Sequence, residues 1–225
     1  MKKNILLAFA CALSVVAFAQ TSTLDSTLQA IKLQRDSTLK AMMHGDSAKV
    51  EKEFSKKMSE ARLKSVAIYP VLNGGEKSGV IPVKDITETP DPTLDYKLMF
   101  DLAENNPDSV ANEINYGLAE IARVINLHVA SGIPLKKIFP VIVIHAGVLN
   151  AFTTNAYYLE HYKTDNPNIK LINDLAALGT KVIACGQAIA FMEFKREALL
   201  PLVKVSLTVQ TVLSSYRLKG YLKYW

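Results

Sequence analysis

The sequence predicts an α/β fold: a three-layer α/β/α sandwich on a mostly parallel five-stranded sheet, preceded by an N-terminal helical extension. Three observations predict it. From Leu94 onward, short apolar or β-branched runs alternate with amphipathic stretches, the pattern of successive strand–helix–strand units. Val141-Ile142-Val143-Ile144 is a continuous β-branched run, the mark of a strand covered on both faces. The composition is globular, with 49% apolar and 21% charged residues in a chain of 225, enough to fill a sizeable core.

The N-terminus has the three parts of a secretory signal over residues 1–19. Lys2 and Lys3 form its charged region, Ile5 to Phe18 its apolar region, and Ala17-Phe18-Ala19 a small-x-small cleavage site before Gln20. The apolar run is short for a membrane span. Export to the periplasm is therefore expected, with no membrane span left after cleavage. Removal of Lys2 and Lys3 lowers the formal charge from +5 to +3. So mild a surplus, with no basic cluster interleaved with aromatics, argues against a nucleic-acid partner. Cleavage also removes Cys11 and leaves Cys185 alone, which rules out an internal disulfide.

Residues 20–65 read as a helical extension. Leu24, Leu28 and Ile31 recur at helical spacing, as do Val50, Phe54, Met58 and Ala61, with a break at His44-Gly45-Asp46. Residues 66–93 read as an extended connector: Asn73-Gly74-Gly75 is a turn signal and Pro90-Asp91-Pro92 excludes helix. The pieces around Ala67-Ile68-Tyr69 and Val80-Ile81 are suited to a small hairpin.

Residues 94–225 form the main domain. Tyr96 to Leu102 is the first strand. Asn106-Pro107 predicts a cap and first turn for a helix of about six turns, whose apolar face is Val110, Ile114, Leu118, Ile121, Ile125 and Val129. Gly132 and Pro134 end it. The Val141–Ile144 strand stops at His145-Ala146-Gly147, and a helix is expected from Val148 to Tyr162. Asn166-Pro167 repeats the cap-plus-proline device ahead of a helix that Gly179 ends. Lys181 to Cys185 is the third strand, followed at once by a helical run through Phe191. Val203 to Leu207 alternates as a fourth strand, a helix follows from Val209, and Tyr221 to Trp225 supplies a fifth.

In parallel sheets ligands bind beyond the carboxyl ends of the strands. That rule alone selects Asp101, His145 and Cys185. A thiol between a strand end and a helix start meets free backbone N–H groups, a setting that lowers its pKa from about 8.5 to roughly 3.5–7.5. Gly186 permits close approach of another chain or molecule, and Gln187 offers a polar side chain. The competing reading is a buried structural cysteine, since unpaired cysteines are among the most commonly buried residues. Position alone favours that reading. His145 could serve as a base or a ligand-orienting group, although a histidine ending a buried strand is more often structural. No metal-ligand spacing, phosphate-binding glycine loop, Cys-x-x-Cys pair or nucleophile elbow occurs, so neither metal nor cofactor is expected.

Several stretches nevertheless share one likeness. Tyr96-Lys97-Leu98-Met99-Phe100-Asp101, Ala122-Arg123-Val124-Ile125-Asn126-Leu127-His128, Val143-Ile144-His145-Ala146-Gly147, Asn166-Pro167-Asn168 and Val182-Ile183-Ala184-Cys185-Gly186-Gln187 occur in order from about Leu94 to Trp225. Together they resemble the DsrE/DsrF-like proteins, whose fold is also called YchN-like. The resemblance implies an α/β/α sandwich that forms trimers or hexamers. For some members it implies a cysteine that carries sulfane sulfur as a persulfide in a relay, and Cys185 falls at that position. It brings Asn126 into the candidate binding set beside Asp101, His145, Gly186 and Gln187. A sulfur donor or acceptor protein is the partner class it implies. The export signal and the helical extension lie outside it.

Two functions are carried forward. The first is an exported sulfurtransferase-type relay protein that uses Cys185. The alternative is a non-catalytic small-ligand-binding or oligomeric assembly protein on the same fold.

Overall fold

The computed structural model describes residues 25–39 and 47–224. The expected signal peptide, its cleavage site, the break at His44-Gly45-Asp46 and Trp225 lie outside the described residues. The chain divides into two compact units, Met1–Ala67 and Ile68–Trp225.

In the first unit, residues 25–39 form α1 and Ser47–Val66 form α2. Val50 is buried, the Arg35 guanidinium pairs with Glu51, and it stacks 4.9 Å from the centre of the Phe54 ring. The contacts are those of a helical pair with narrow apolar stripes, as the spacing of Ile31, Val50 and Phe54 predicts.

The second unit contains β1 (Tyr96–Leu102), α3 (Tyr116–Ala130), β2 (Ile138–Ile144), α4 (Asn155–Tyr162), α5 (Ile169–Ala177), β3 (Lys181–Cys185), α6 (Gly186–Phe191), β4 (Lys204–Ser206), α7 (Val209–Leu218) and β5 (Leu222–Tyr224). All five strands are parallel, in the order β4-β3-β2-β1-β5. The sheet is therefore the core of an α/β sandwich, as predicted, and more uniform than "mostly parallel".

Strand order decides which helices cover which face. The first four strands step one way across the sheet, and β5 returns to the far side of β1. With right-handed crossovers, the helices before β4 lie on one face and α7 lies on the other. The buried clusters agree. Leu98, Phe100, Ile142, Ile144, Val182 and Ala184 pack with Leu118, Ile121, Ile125 and Leu171 of α3 and α5. Their alternating neighbours Met99, Val141, Val143 and Cys185 pack with Val209, Val212, Leu213 and Tyr216 of α7.

Two local expectations change. The first long helix starts at Tyr116, not near Pro107. Asn115 caps it by accepting N–H bonds from Gly117 (3.0 Å) and Leu118 (3.3 Å), while Asp108–Val110 is a separate 3-10 turn. Asn106 instead bridges that turn, donating to Ile114 O at 3.1 Å and accepting from Tyr116 N at 2.9 Å. The stretch after β2 is a 3-10 segment, Ala146–Phe152, and α4 begins only after Thr154, whose hydroxyl caps it. Asn166 caps as expected, accepting Asn168 N–H at 3.0 Å, and it also ties the fold together. Asn166 holds Ala151 O and Thr153 O, and Asn168 accepts Asn115 N–H at 2.7 Å, joining the start of α5 to that of α3. At Asn106 the buried side chain has found partners beyond its own turn, which overrides the local cap signal.

The connector is extended, with one antiparallel bridge between Ile68 and Val80 in place of a full hairpin.

Candidate functional site

The site is built from the ends of three adjacent strands. The pairing of β1 with β2 runs to Leu102↔Ile144, and that of β2 with β3 to Ile144↔Ala184. His145 and Cys185 each stand one residue past that last pair. Asp101 is registered with Val143, on the same face as Met99 and Val141. Asp101, His145 and Cys185 therefore share one edge and one face of the sheet, the face that α7 covers.

Cys185 is 5% exposed and free, in an apolar setting of Met99, Val141, Val143 and Val209. The thiol is tucked beneath the first turn of α7. Its polar surroundings are equally definite. Burial pushes the thiol pKa up, but the backbone N–H groups of Val209, Ala188 and, least, Gln187, with the Thr208 hydroxyl, outweigh it and bring the pKa below its ordinary value. Thr208 Oγ1 lies 4.0 Å from Sγ. Thr208 also caps α7, accepting Gln210 N–H at 3.4 Å, which leaves its own O–H to donate to a thiolate. The sulfur thus meets the beginnings of both α6 and α7.

Gly186 explains how α6 starts so close to β4. A Cβ there would lie 2.6 Å from Ser206 O and 3.3 Å from Leu207 O. The space Gly186 opens is filled by its own chain, and Gln187 N donates to Leu207 O at 3.0 Å. The Gln187 side chain is exposed.

Asp101 and His145 form a second group on the same edge. His145 Nε2 lies 3.3 Å from Asp101 Oδ1, and Lys223 Nζ of β5 lies 2.9 Å from Oδ2. The Asp101 side chain is 13% exposed, while those of His145 and Lys223 are 31% exposed. Asp101 Oδ1 is buried and accepts no well-aligned hydrogen bond. Directly after His145, Ala146 adopts a φ of 52°, a left-handed conformation uncommon for alanine.

Asn126 does not belong to this edge. It is fully buried in α3, where Oδ1 accepts from Val71 N and Leu72 N and Nδ2 donates to Leu72 O and Ser78 O. Its full hydrogen-bonding capacity holds the connector against the domain, which removes it from the binding set.

A model of the DsrE/DsrF-like family matches residues 97–222, more than half of the chain. The chain belongs to the DsrE/DsrF-like family. No curated protein matches it. A solved structure of a protein of unknown function from Methanobacterium thermoautotrophicum is similar, with 17% identity and a TM-score of 0.41. That similarity covers 58% of this chain and 100% of that one.

The DsrE/DsrF-like region contains Asp101, His145, Cys185 and Thr208 and stops one residue before Lys223. Sequence reasoning missed Thr208 and Lys223. A threonine just ahead of the Val209 helical stripe is a readable cap signal. No local signal marks Lys223, which joins Asp101 only because β5 crosses the sheet to lie beside β1. Among the described residues, no group of three or more His, Cys, Asp or Glu side chains is arranged to hold a metal ion, and no helix is long and apolar enough to cross a membrane.

Proposed function

We propose that this DsrE/DsrF-like protein is a sulfur carrier in which Cys185 takes up sulfane sulfur as a persulfide and passes it on. One observation supports this reading above the others: a free thiol meets backbone N–H groups at two helix starts and a hydroxyl, with its pKa brought below the ordinary value. A structural cysteine among aliphatic side chains gains nothing from such donors, whereas a nucleophilic thiolate is stabilised by them. Thr208 and the N–H groups of Val209 and Ala188 are the stabilising set. Gly186 acts by allowing β4 and α6 to close around the sulfur.

The partner in this reading is a sulfur donor or acceptor protein, and the working form is a homo-oligomer. Phe191 and Leu218, each 90% exposed, and Leu207, 73% exposed, are apolar side chains suited to burial in such an assembly. Export is part of the reading through Lys2, Lys3 and the Ala17-Phe18-Ala19 site.

The test is incubation of the chain lacking residues 1–19, and so lacking Cys11, with a small persulfide donor, followed by intact-mass analysis. Wild type is expected to gain the mass of one sulfur atom at Cys185, with no gain in Cys185→Ser. A Cys185 that takes up no sulfur and resists alkylation would sink the carrier role. That outcome would favour a non-catalytic binding or assembly protein, in which the 5% exposed thiol is a packing residue.

A further inference from the structure

We propose that His145 is the proton acceptor for Cys185, and that Asp101, itself held by Lys223, is the positioning residue that orients it. The proposal rests on the reading of Cys185 as a sulfur nucleophile and adds how its proton is handled.

Sheet geometry supplies the juxtaposition. β1, β2 and β3 are consecutive in the sheet. His145 and Cys185 lie side by side one residue past Ile144↔Ala184, on strands about 4.8 Å apart. Parallel partners project to the same face, so the imidazole and the thiol share the edge beneath α7. The thiol associates with Thr208 at the start of α7, and the imidazole with Asp101 on β1. In the proposal, the edge between these two groups is where an incoming sulfur meets both.

Asp101 decides which imidazole nitrogen acts. Nε2 stands 3.3 Å from a carboxylate oxygen that can only accept, so the tautomer the proposal uses is the one protonated at Nε2, with the lone pair on Nδ1. Lys223 Nζ, 2.9 Å from Oδ2, holds the carboxylate in place beside the imidazole. Oδ1, buried and without an aligned hydrogen bond, is the position where an imidazolium Nε2–H gains most when charge develops on the ring. Ala146, held at φ 52°, turns the chain away from the sheet directly after His145. Such strain is retained where the surrounding structure demands it.

The charged and titratable groups around the imidazole are few. They are Asp101 on β1, Lys223 on β5 and the Cys185 thiol on β3. On α7 the residues from Val209 to Ser215 are all uncharged, and Tyr216 and Arg217 stand at its far end. The segment from Ala146 to Phe152 carries no ionisable side chain, and Glu104, on the loop after β1, is exposed.

For a persulfide donor R–S–SH the step balances as follows. The Cys185 S–H proton passes to His145 Nδ1. Sγ forms a bond to the donor's outer sulfur, which keeps its hydrogen. The donor's S–S bond breaks, and its electron pair leaves with the inner sulfur as RS⁻. The imidazolium returns the proton to that sulfur. The products are Cys185–S–SH and RSH: Sγ is oxidised, the donor's inner sulfur is reduced, and no external oxidant enters.

The experiment is the pH dependence of Cys185 alkylation by iodoacetamide in the chain lacking residues 1–19, for wild type, His145→Gln and Asp101→Asn, beside sulfur loading of wild type. With His145 as acceptor, His145→Gln moves the midpoint upward and slows alkylation at neutral pH by about tenfold, the effect of one unit of thiol pKa. The plateau at high pH stays unchanged, and Asp101→Asn falls between the two. Superimposable profiles in a Cys185 that still loads sulfur overturn the role of His145 and leave the carrier reading intact. A wild-type Cys185 inert to both reagents overturns both. Because His145→Gln could fail to fold, the reciprocal measurement is made on Cys185→Ser, by NMR titration of His145. Coupled groups perturb each other equally. A His145 midpoint that moves when the thiol is replaced supports the proposal, and an unmoved midpoint overturns it.

Discussion

The two faces of the sheet are closed by different means. On one, α3, α5 and the connector cover Leu98, Phe100, Ile142 and Ile144, all with no exposed surface. On the other, α7, with Ala188 of α6 and Tyr221, covers Met99, Val141, Val143 and Cys185. Beyond its reach lie Lys97, Lys181, Lys204 and the 41% exposed Phe139, which project to the same side. The deep face supplies the apolar burial that holds the fold. The thin face leaves ionisable groups at its carboxyl edge close to solvent and to one another. Stability and chemistry are thereby assigned to opposite sides of a single layer of backbone.

The sharpest way to break this division is to damage the deep face alone. Phe100 is fully buried and tilts against Tyr224 at 5.4 Å between ring centres. Phe100→Ala is expected to lower unfolding free energy by about 3–5 kcal/mol, the cost of removing a core aromatic. Urea titration measures it. The alkylation rate of Cys185 under native conditions should stay within about twofold of wild type, since additivity holds for sites without shared partners. If that rate changes together with stability, the two faces are not separable.

Much of this was legible in the chain. The β-branched run Val141–Ile144 could only be a doubly covered strand, and all five strands fall where the apolar runs predict. What the sequence left open was strand order, because local patterning does not encode which strand β5 will join. For that reason Asp101, His145 and Cys185 could be placed at strand ends while their adjacency could not, and Lys223 was invisible. Asn126 shows the opposite difficulty. A polar residue in an apolar helix reads equally as a ligand group or as a clamp, and only the extended backbone at Val71, Leu72 and Ser78 distinguishes them. The start of the first helix was misplaced for the same reason: Asn106 bonds to Ile114 O and Tyr116 N rather than capping a helix at Pro107.

A smaller change tests how tightly the thin face is closed. Gly186→Ala would drive a Cβ to 2.6 Å from Ser206 O, a backbone atom that cannot rotate away. The start of α6 must then withdraw from β4, at a cost of about 1–3 kcal/mol for overpacking. Loosening at this point weakens the Gln187–Leu207 bond and exposes the sulfur. Alkylation by a bulky reagent such as a nitrobenzoic disulfide should accelerate relative to iodoacetamide. An unchanged ratio of the two rates would mean that Gly186 shapes the helix start without controlling access to Cys185.

The least disruptive substitution separates the electrostatics of the thin face from its packing. Thr208→Val keeps the branched shape but deletes both the cap on Gln210 N–H and the hydroxyl beside Sγ. Loss of the cap costs about 0.5–2 kcal/mol. Loss of the hydroxyl raises the thiol pKa, because one of the groups that lowered it is gone. The sign of the linked stability follows. A thiol whose folded pKa lies below its unfolded one binds fewer protons when folded, so stability grows as pH rises from the folded value toward the ordinary range near ~8.5 and is lost as pH falls through the folded value. Wild type should therefore gain on Cys185→Ser as pH rises through that window, and Thr208→Val should gain less. Thr208→Ser, which keeps donor and acceptor, should behave as wild type. Equal slopes for wild type and Thr208→Val would mean that the backbone N–H groups of Val209 and Ala188 set the charge state of Cys185 without help from the Thr208 side chain.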